Sequence, residues 1–348
     1  MDCDDDGDLD VLASHEDGAI LIAFRNSGDG TFAEVQSSDT FIVTWDMEAA
    51  EVTPNAQVLM GIGFPQRFVR MRRVPGQPCS FTQDGSYNLL SGGLKAIGVL
   101  DADGSATADV IVSSDDDGTG KPMQYAYDFS GDFPDFAVAD SSATQPYAIA
   151  VGNVAGAGDD LVVTDLASRK VEVRQYYTGQ GLLFPESGEV GNNPIGLVVG
   201  DINGDFRDDA ITANEADGTV SILVNNGDEG FDKPDADLDI TGGDPALGSP
   251  RDLVLADFDG DGDRDLAVVS SFDGMGKSFV TLFLNAGGGA FSPATTTQGG
   301  VTFPAEVGRQ PWAIRAGDLN GDEIPDIVTS NHFDDGITST VSILLSNP

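Results

Sequence analysis

A nine-residue acidic stretch that returns in one register restricts this chain more than any other feature. In Asp257-Phe258-Asp259-Gly260-Asp261-Gly262-Asp263-Arg264-Asp265 a carboxylate stands at every second position, and the apolar run Leu266-Ala267-Val268-Val269 follows at once. Two carboxylates about 4–5 Å apart repel by roughly 3–4 kcal/mol at an effective dielectric near 20. A loop that turns four or five of them inward therefore needs a cation among them. Ca2+ suits a flexible loop of Asp side chains and backbone carbonyls better than Mg2+, which demands a stricter octahedron. The intervening glycines permit the backbone angles of a tight wrap.

Oxygen-bearing side chains occupy loop positions 1, 3, 5 and 9 in five copies. They are Asp2, Asp4, Asp6 and Asp10; Asp101, Asp103, Ser105 and Asp109; Asp201, Asn203, Asp205 and Asp209; Asp257, Asp259, Asp261 and Asp265; and Asp318, Asn320, Asp322 and Asp326. About five Ca2+ ions are expected. An EF-hand would carry a bidentate Glu at position 12. Here that position holds Ala13, Val112, Thr212, Val268 and Thr329, which excludes it. Nonapeptide β-helix repeats are excluded as well, because these copies recur about every fifty residues and not every nine.

The surroundings of each loop repeat too. Pro146, Pro194, Pro250 and Pro311 stand seven residues before position 1, and Ile97, Ile149, Leu197, Leu253 and Ile314 stand four before it. Proline is tolerated at the first residue of a strand, so a buried strand is expected to enter each loop, as in Ile195-Gly196-Leu197-Val198-Val199. A second strand follows the loop. An alternating third strand comes next, such as Thr219-Val220-Ser221-Ile222-Leu223-Val224. Gly-rich hairpins at 26–32, 225–231 and 285–291 then lead into a short fourth strand opened by Phe32, Phe231 or Phe291. Four-stranded units repeated four to eight times read as a propeller.

Loop starts at 2, 101, 153, 201, 257 and 318 leave room for one hidden unit between the first two. The expectation is an all-β, seven-bladed β-propeller in a single domain, with blades at about 1–40, 41–90, 91–143, 144–191, 192–247, 248–308 and 309–348. The hidden blade would run from Phe41–Trp45 to Gln57–Met60, with Asp46 and Glu48 as traces of a loop. Neither it nor the shortened loop at Asn153 should hold Ca2+. The first unit lacks its first strand and the seventh stops before its fourth, as in a piece of a longer protein.

These repeats resemble the FG-GAP/VCBS type found in integrin α-subunit propellers and in many bacterial secreted proteins. The resemblance rests on the Asp-x-Asp/Asn-x-Asp-x-x-x-Asp loops and on the Asn-Ser-Gly-Asp-Gly-Thr-Phe hairpin at 26–32. It implies that side chains 1, 3, 5 and 9 bind Ca2+ together with the carbonyl of position 7, here Asp8, Thr107, Arg207, Asp263 and Ile324. Ser105 would make the third-unit site the weakest, and Phe206, where the family has Gly, would distort the fifth-unit loop. It also implies a secreted or cell-surface protein with a binding or adhesion role, not an enzyme. A protein or glycan ligand would lie on the face opposite the calcium loops. The alternative is a polysaccharide-active enzyme domain, a lyase or a hydrolase-associated propeller.

The formal net charge is −41, and aspartate supplies most of the 58 acids. Such an excess opposes nucleic acid or anionic membrane as a partner. No segment approaches eighteen apolar residues, so no membrane span is expected, and residues 1–15 have no apolar signal core. Two cysteines, Cys3 and Cys79, form no disulfide framework; two free thiols is the ordinary expectation and a single bridge the alternative. Arg67, Arg70, Arg72 and Arg73 read as a charged edge strand or as a cationic patch for an acidic partner. Trp312 and Tyr147, each just after a strand-opening Pro, read as inter-blade packing or as carbohydrate stacking. His15, Asn214, Phe272 and His332 are placed in turns opposite the loops. No zinc spacing, nucleophile motif or phosphate loop is present.

Overall fold

The computed structural model of the chain describes residues 1–348 apart from 16–18, 40–42, 54–55, 90–92, 101–108, 115–122, 127–136, 139–144, 155–158, 178–180, 228–229, 234–236, 241–247, 272–276, 295–296, 299–300, 333–338 and 347–348. Every described element is a β-strand. Apart from one two-stranded hairpin the strands form seven sheets, and the chain is an all-β, seven-bladed propeller.

Two compact units divide the chain. The first comprises Met1–Ser27, Phe32–Ser168 and Glu172–Glu186 and holds most of four sheets. Sheet one is β1 (Val11–His15), β2 (Ile20–Asn26) and β3 (Phe32–Asp39). Sheet two is β4 (Val43–Thr53), β5 (Ala56–Phe64), β6 (Arg67–Arg73) and β7 (Phe81–Asn88). Sheet three is β8 (Leu94–Leu100), β9 (Asp109–Ser114), β10 (Met123–Ala126) and β11 (Ala137–Val138). Sheet four is β12 (Pro146–Gly152), β13 (Asp160–Asp165), β14 (Lys170–Tyr177) and β15 (Gly181–Glu189). Each is an antiparallel meander in chain order.

The second unit comprises Gly28–Thr31, Arg169–Val171 and Ser187–Pro348. Sheet five is β16 (Pro194–Gly200), β17 (Asp209–Asn214), β18 (Thr219–Asn225), β19 (Phe231–Asp232) and β20 (Leu238–Asp239). Sheet six is β21 (Ser249–Ala256), β22 (Asp265–Ser271), β23 (Ser278–Asn285) and β24 (Phe291–Pro293). A small hairpin, β25 (Thr297–Gln298) and β26 (Val301–Thr302), precedes β27 (Ala305–Val307), which also pairs with β23. Sheet seven is β28 (Pro311–Gly317), β29 (Asp326–Asn331) and β30 (Thr340–Leu344).

The core lies between successive sheets. In the first unit one cluster joins Met60, Ile62 and Phe68 of sheet two to Ile97, Val110 and Val112 of sheet three. In the second, Ile211 and Val220 of sheet five meet Leu253, Leu266 and Val268 of sheet six. The second strand of a blade carries most of this burial: every residue of β9, β13, β17 and β22 is buried. The first strands, expected to be the buried ones, are only partly so. A central strand is covered on both faces, so it reads as a near-continuous apolar run. Pro146, Pro194 and Pro311 open their strands as expected and Pro250 is the second residue of its own, each followed by a β-bulge in its ladder to the second strand, where a missing N–H disrupts nothing.

Several expectations change. Cys3 and Cys79 are not free thiols but a disulfide, with Cα atoms 4.7 Å apart. The bridge joins two segments 76 residues apart in sequence, a separation that hides the pair from local reading. In the chain-entropy view, closing a loop of that size stabilises by about 4 kcal/mol. Replacing both cysteines by serine is therefore expected to lower the unfolding free energy by about 2–4 kcal/mol, read as a shift in denaturant midpoint.

Asp46 and Glu48 are not remnants of a loop. They lie inside β4, where the Asp46 carboxylate accepts the Ile97 and Met47 N–H groups at 3.0 and 2.9 Å. The arginine run is not an edge strand, since β6 is hydrogen-bonded on both sides. Nor is it a free cationic patch: Arg70 is 5% exposed, Arg70 and Arg72 both pair with Asp84, and Arg73 pairs with Asp5. Asn214 is no turn residue but a fully buried one in β17, donating to Thr219 and Ser221. His15 is the last residue of β1, His332 follows β29, and Phe272 lies outside the described residues.

Candidate metal centre

Four acidic loops are described: loop 1 (residues 2–10), loop 5 (201–209), loop 6 (257–265) and loop 7 (318–326). Each joins a blade's first and second strands or leads into the second. The third-unit residues Asp101, Asp103, Ser105 and Thr107 lie outside the described residues; Asp109 is buried at the start of β9.

The alternation of acids with small residues builds the same turn each time. The position-1 carboxylate caps the loop from inside. Asp257 Oδ1 accepts the Gly260 and Asp261 N–H groups at 2.7 and 3.1 Å, and its Oδ2 accepts Gly262 N–H at 2.9 Å. Asp201 does the same for Gly204, Asp205 and Phe206, and Asp318 for Gly321, Asp322 and Glu323. In loop 1 Asp2 accepts from Asp5 and Gly7. Positions 3 and 5 each take one N–H two residues on: Asn203 from Asp205, Asp205 from Arg207, Asp259 from Asp261, Asp261 from Asp263, Asn320 from Asp322 and Asp322 from Ile324. These are successive Asx turns. Each of these position-3 and position-5 side chains keeps a second polar atom beyond its turn bond.

Position 6 has positive φ in all four loops: Gly7 at 100°, Gly262 at 96°, Phe206 at 67° and Glu323 at 68°. Phe206 was expected to distort loop 5, but that loop keeps the hydrogen bonds of its siblings. The phenyl ring, 91% exposed, points away from the wrap and leaves it intact.

Position 9 serves differently. Asp10, Asp209, Asp265 and Asp326 are all buried. Oδ2 of each accepts the position-2 N–H, from Cys3, Ile202, Phe258 and Leu319 at 2.7–3.1 Å. Oδ1 accepts an N–H from the end of the third strand: Asn26, Asn225, Asn285 or Ser346 at 2.5–2.9 Å. Asp160 likewise takes Val154 N–H, at 3.0 Å, in the shortened fourth-unit loop, although that loop lacks acids at positions 3 and 5. The position-9 carboxylate is thus a lock that works without a full acidic set.

Sequence reading missed the other half of the lock. By sequence Asn26, Asn225 and Asn285 read only as hairpin openers. Their Nδ2 groups donate to the position-8 carbonyls of Leu9, Asp208 and Arg264 at 3.0–3.2 Å. The signal was the same Asn recurring 16 residues after Asp10 and Asp209 and 20 after Asp265.

The carboxylates converge in two loops. One ligand-type oxygen from each of Asp2, Asp4 and Asp6 lies within 4.8 Å of the others, as does one from each of Asp257, Asp259 and Asp265. In loops 5 and 7 an amide, Asn203 or Asn320, holds position 3, and no three carboxylates meet among the described residues. Of the proposed carbonyl ligands, that of Ile324 accepts Ser346 Oγ at 3.1 Å. Cys3, Asp10 and Cys79 also lie together, but the disulfide removes both thiolates as ligands.

Burial pushes the Asp209 and Asp265 carboxyls up to about 6. Burial also raises Asp259, with Asp261 adding repulsion, and raises Asp4 against the opposing pull of Arg25. Burial acts the same way on Asp201, but four loop amides outweigh it and hold that carboxyl low. For Asp209 and Asp265 the folded value exceeds the unfolded one, so the native state binds more protons between the two. Their contribution to stability is full below the unfolded value and is lost as pH rises through about 6. The metal-free chain is expected to melt higher at about pH 5 than at about pH 7.5 by differential scanning calorimetry; the opposite order would contradict these environments.

All donors here are hard oxygens, which fit Ca2+. Loop 1 supplies a further test of fit, because a positive group already lies against its free oxygens: Arg25 Nε is 2.5 Å from Asp4 Oδ2.

Residues 201–268 and 257–329 match the FG-GAP-like repeat family. With the seven-bladed fold, that match is consistent with an FG-GAP-repeat propeller and supports a binding module. Among solved structures, a functionally unknown protein from Desulfotomaculum acetoxidans DSM 771 is similar at 12% identity and TM-score 0.61, over 97% of this chain and 99% of that one. BBS1N in complex with ARL6DN is similar in a lead-soaked crystal (11% identity, TM-score 0.59, 100% and 92% covered) and in a mercury-soaked one (12%, 0.60, 98% and 90%). At such identities the likeness concerns the fold alone. No curated protein matches. Among the described residues no helix is long and apolar enough to cross a membrane.

Proposed function

We propose that this propeller is a calcium-binding, extracellular binding module for a protein or glycan. Ca2+ acts structurally at the corners between first and second strands. The observation that carries the reading is the division of labour within each loop. Position 9 locks the corner, while positions 1, 3 and 5 wrap the backbone and gather oxygens on one side. Asp2, Asp4 and Asp6, with the Asp8 carbonyl, would hold one ion. Asp257, Asp259, Asp261 and Asp265, with the Asp263 carbonyl, would hold another. Asp201, Asn203, Asp205, Asp209 and the Arg207 carbonyl supply a third set, and Asp318, Asn320, Asp322, Asp326 and the Ile324 carbonyl a fourth. Residues 101–109 would make a fifth. When bound, Ca2+ neutralises the crowded acids.

A ligand would meet the ends of the blades away from these loops. In the second unit those ends carry Trp312, 54% exposed, with the Arg251 guanidinium 5.3 Å from its ring centroid and Glu215 paired to Arg251 at 2.7 Å. In the first unit Lys95 lies over Tyr147 at 5.2 Å in the same way. Planar aromatic and charged groups side by side suit pyranose rings and peptide side chains alike.

Equilibrium dialysis of the full chain against Ca2+ tests the metal, and a glycan array probed with and without Ca2+ tests the ligand. Uptake of four to five ions per chain is expected. No uptake at millimolar Ca2+ would overturn the reading.

A further inference from the structure

Loop 1 differs from its siblings in what faces its free oxygens. Asp4 Oδ1 and Asp6 Oδ1 accept loop N–H groups from Asp6 and Asp8 at 3.3 and 3.1 Å. The remaining oxygens face Arg25, the next-to-last residue of β2. Arg25 Nε lies 2.5 Å from Asp4 Oδ2, and a terminal nitrogen lies 3.6 Å from Asp6 Oδ2. The Asp4 side chain is 3% exposed, whereas that of Arg25 is 47% exposed. The guanidinium therefore closes a sheltered carboxylate from the solvent side.

The other three described loops show no counterpart among the described residues. The residue one before the third-strand N–H that meets the position-9 carboxylate is Val224, Leu284 and Leu345 where loop 1 has Arg25. In loop 5, Arg207 reaches only Asp205 Oδ2, at 3.3 Å and from within the same loop. In loops 6 and 7, no Lys or Arg is ion-paired to Asp257, Asp259, Asp261, Asp318 or Asp322 among the described residues. One loop of the four thus carries a cation from a neighbouring strand on two oxygens that a metal ion would use.

We propose that Arg25 is a tethered counter-ion that holds loop 1 together without metal and that Ca2+ must displace, which makes loop 1 the last of the described loops to fill. This rests on the calcium reading above. A single positive charge delivered by a half-exposed side chain is weakly held, because its pair is screened by water and ordering the side chain opposes it. A divalent ion at bonding distance displaces it, but only after overcoming the competition. The module then answers calcium in two stages: loops without a tethered cation fill at low concentration, and loop 1 follows at higher concentration.

Isothermal titration of the calcium-free full chain tests this, using wild type, Arg25→Gln, Arg25→Lys and the triple variant Arg25→Gln/Asp4→Asn/Asp6→Asn. The weakest binding step of wild type is expected to tighten about threefold to fivefold in Arg25→Gln and to stay near wild type in Arg25→Lys. The gain should vanish in the triple variant. Melting without calcium should be lower for Arg25→Gln than for wild type, and melting at saturating calcium should not. A weakest step that is unmoved or loosened by Arg25→Gln, or tightened equally by Arg25→Lys, overturns the proposal and leaves the calcium reading standing. A wild type that takes up no calcium overturns both.

Discussion

Replacing Asp265 with alanine is expected to destabilise the protein by about 3–5 kcal/mol even in the absence of calcium. The carboxylate is fully buried, and its two oxygens accept Phe258 N–H at 2.8 Å and Asn285 N–H at 2.8 Å. Truncation leaves two backbone donors without partners, at about 1–3 kcal/mol each, and opens a void beside them. The comparison that isolates this effect is Asp160→Ala. Its loop lacks acids at positions 3 and 5, yet its carboxylate takes Val154 N–H. Asp160→Ala is therefore expected to lower the denaturant midpoint by an amount that calcium does not change, and Asp265→Ala to do so while also abolishing one calcium site. Equal and wholly calcium-dependent losses for the two would mean that position 9 is a ligand and nothing more.

Chelation is expected to lower the thermal midpoint of the wild-type chain by about 10 °C. A site held a hundredfold above its dissociation constant adds about 2.7 kcal/mol to the folded state. Several such sites in a chain of 348 residues amount to a shift of about that size. The effect should be reversed by added Ca2+ and much less by Mg2+, which resists dehydration and prefers a stricter geometry. An unchanged melt in chelator would show that the hydrogen-bonded wrap alone carries the loops.

The two expectations concern different parts of one loop, and the structure separates them. Positions 1, 3 and 5 organise the turn through short Asx bonds, each spanning two to five residues. Position 9 reaches seven residues back and sixteen to twenty residues forward to close the corner. Metal and lock therefore reinforce each other. The lock fixes where the oxygens stand, and on the proposed calcium reading the ion would relieve the repulsion that burial and crowding create.

Residues read in order determined the blade count, the place of the four described acidic loops, the Pro entry to first strands and the Phe start of fourth strands. All of these depend on contacts within about fifty residues, and repetition makes such contacts visible as a period. The acid pattern also marked where the Asx-turn wrap forms in the described loops, since an Asx turn needs only its own neighbours. Tertiary structure decided the rest. The Cys3–Cys79 bridge, the burial of Arg70 against Asp84, the place of β6 inside its sheet and the contact of Arg25 with Asp4 all join residues whose partners differ from blade to blade. Asn26, Asn225 and Asn285 looked like turn residues because their local preference is for turns, and only the folded corner turns their amides onto the loop. A period in sequence records what every blade shares, whereas charge pairing and covalent linkage between particular blades follow from which side chains the sheets bring face to face.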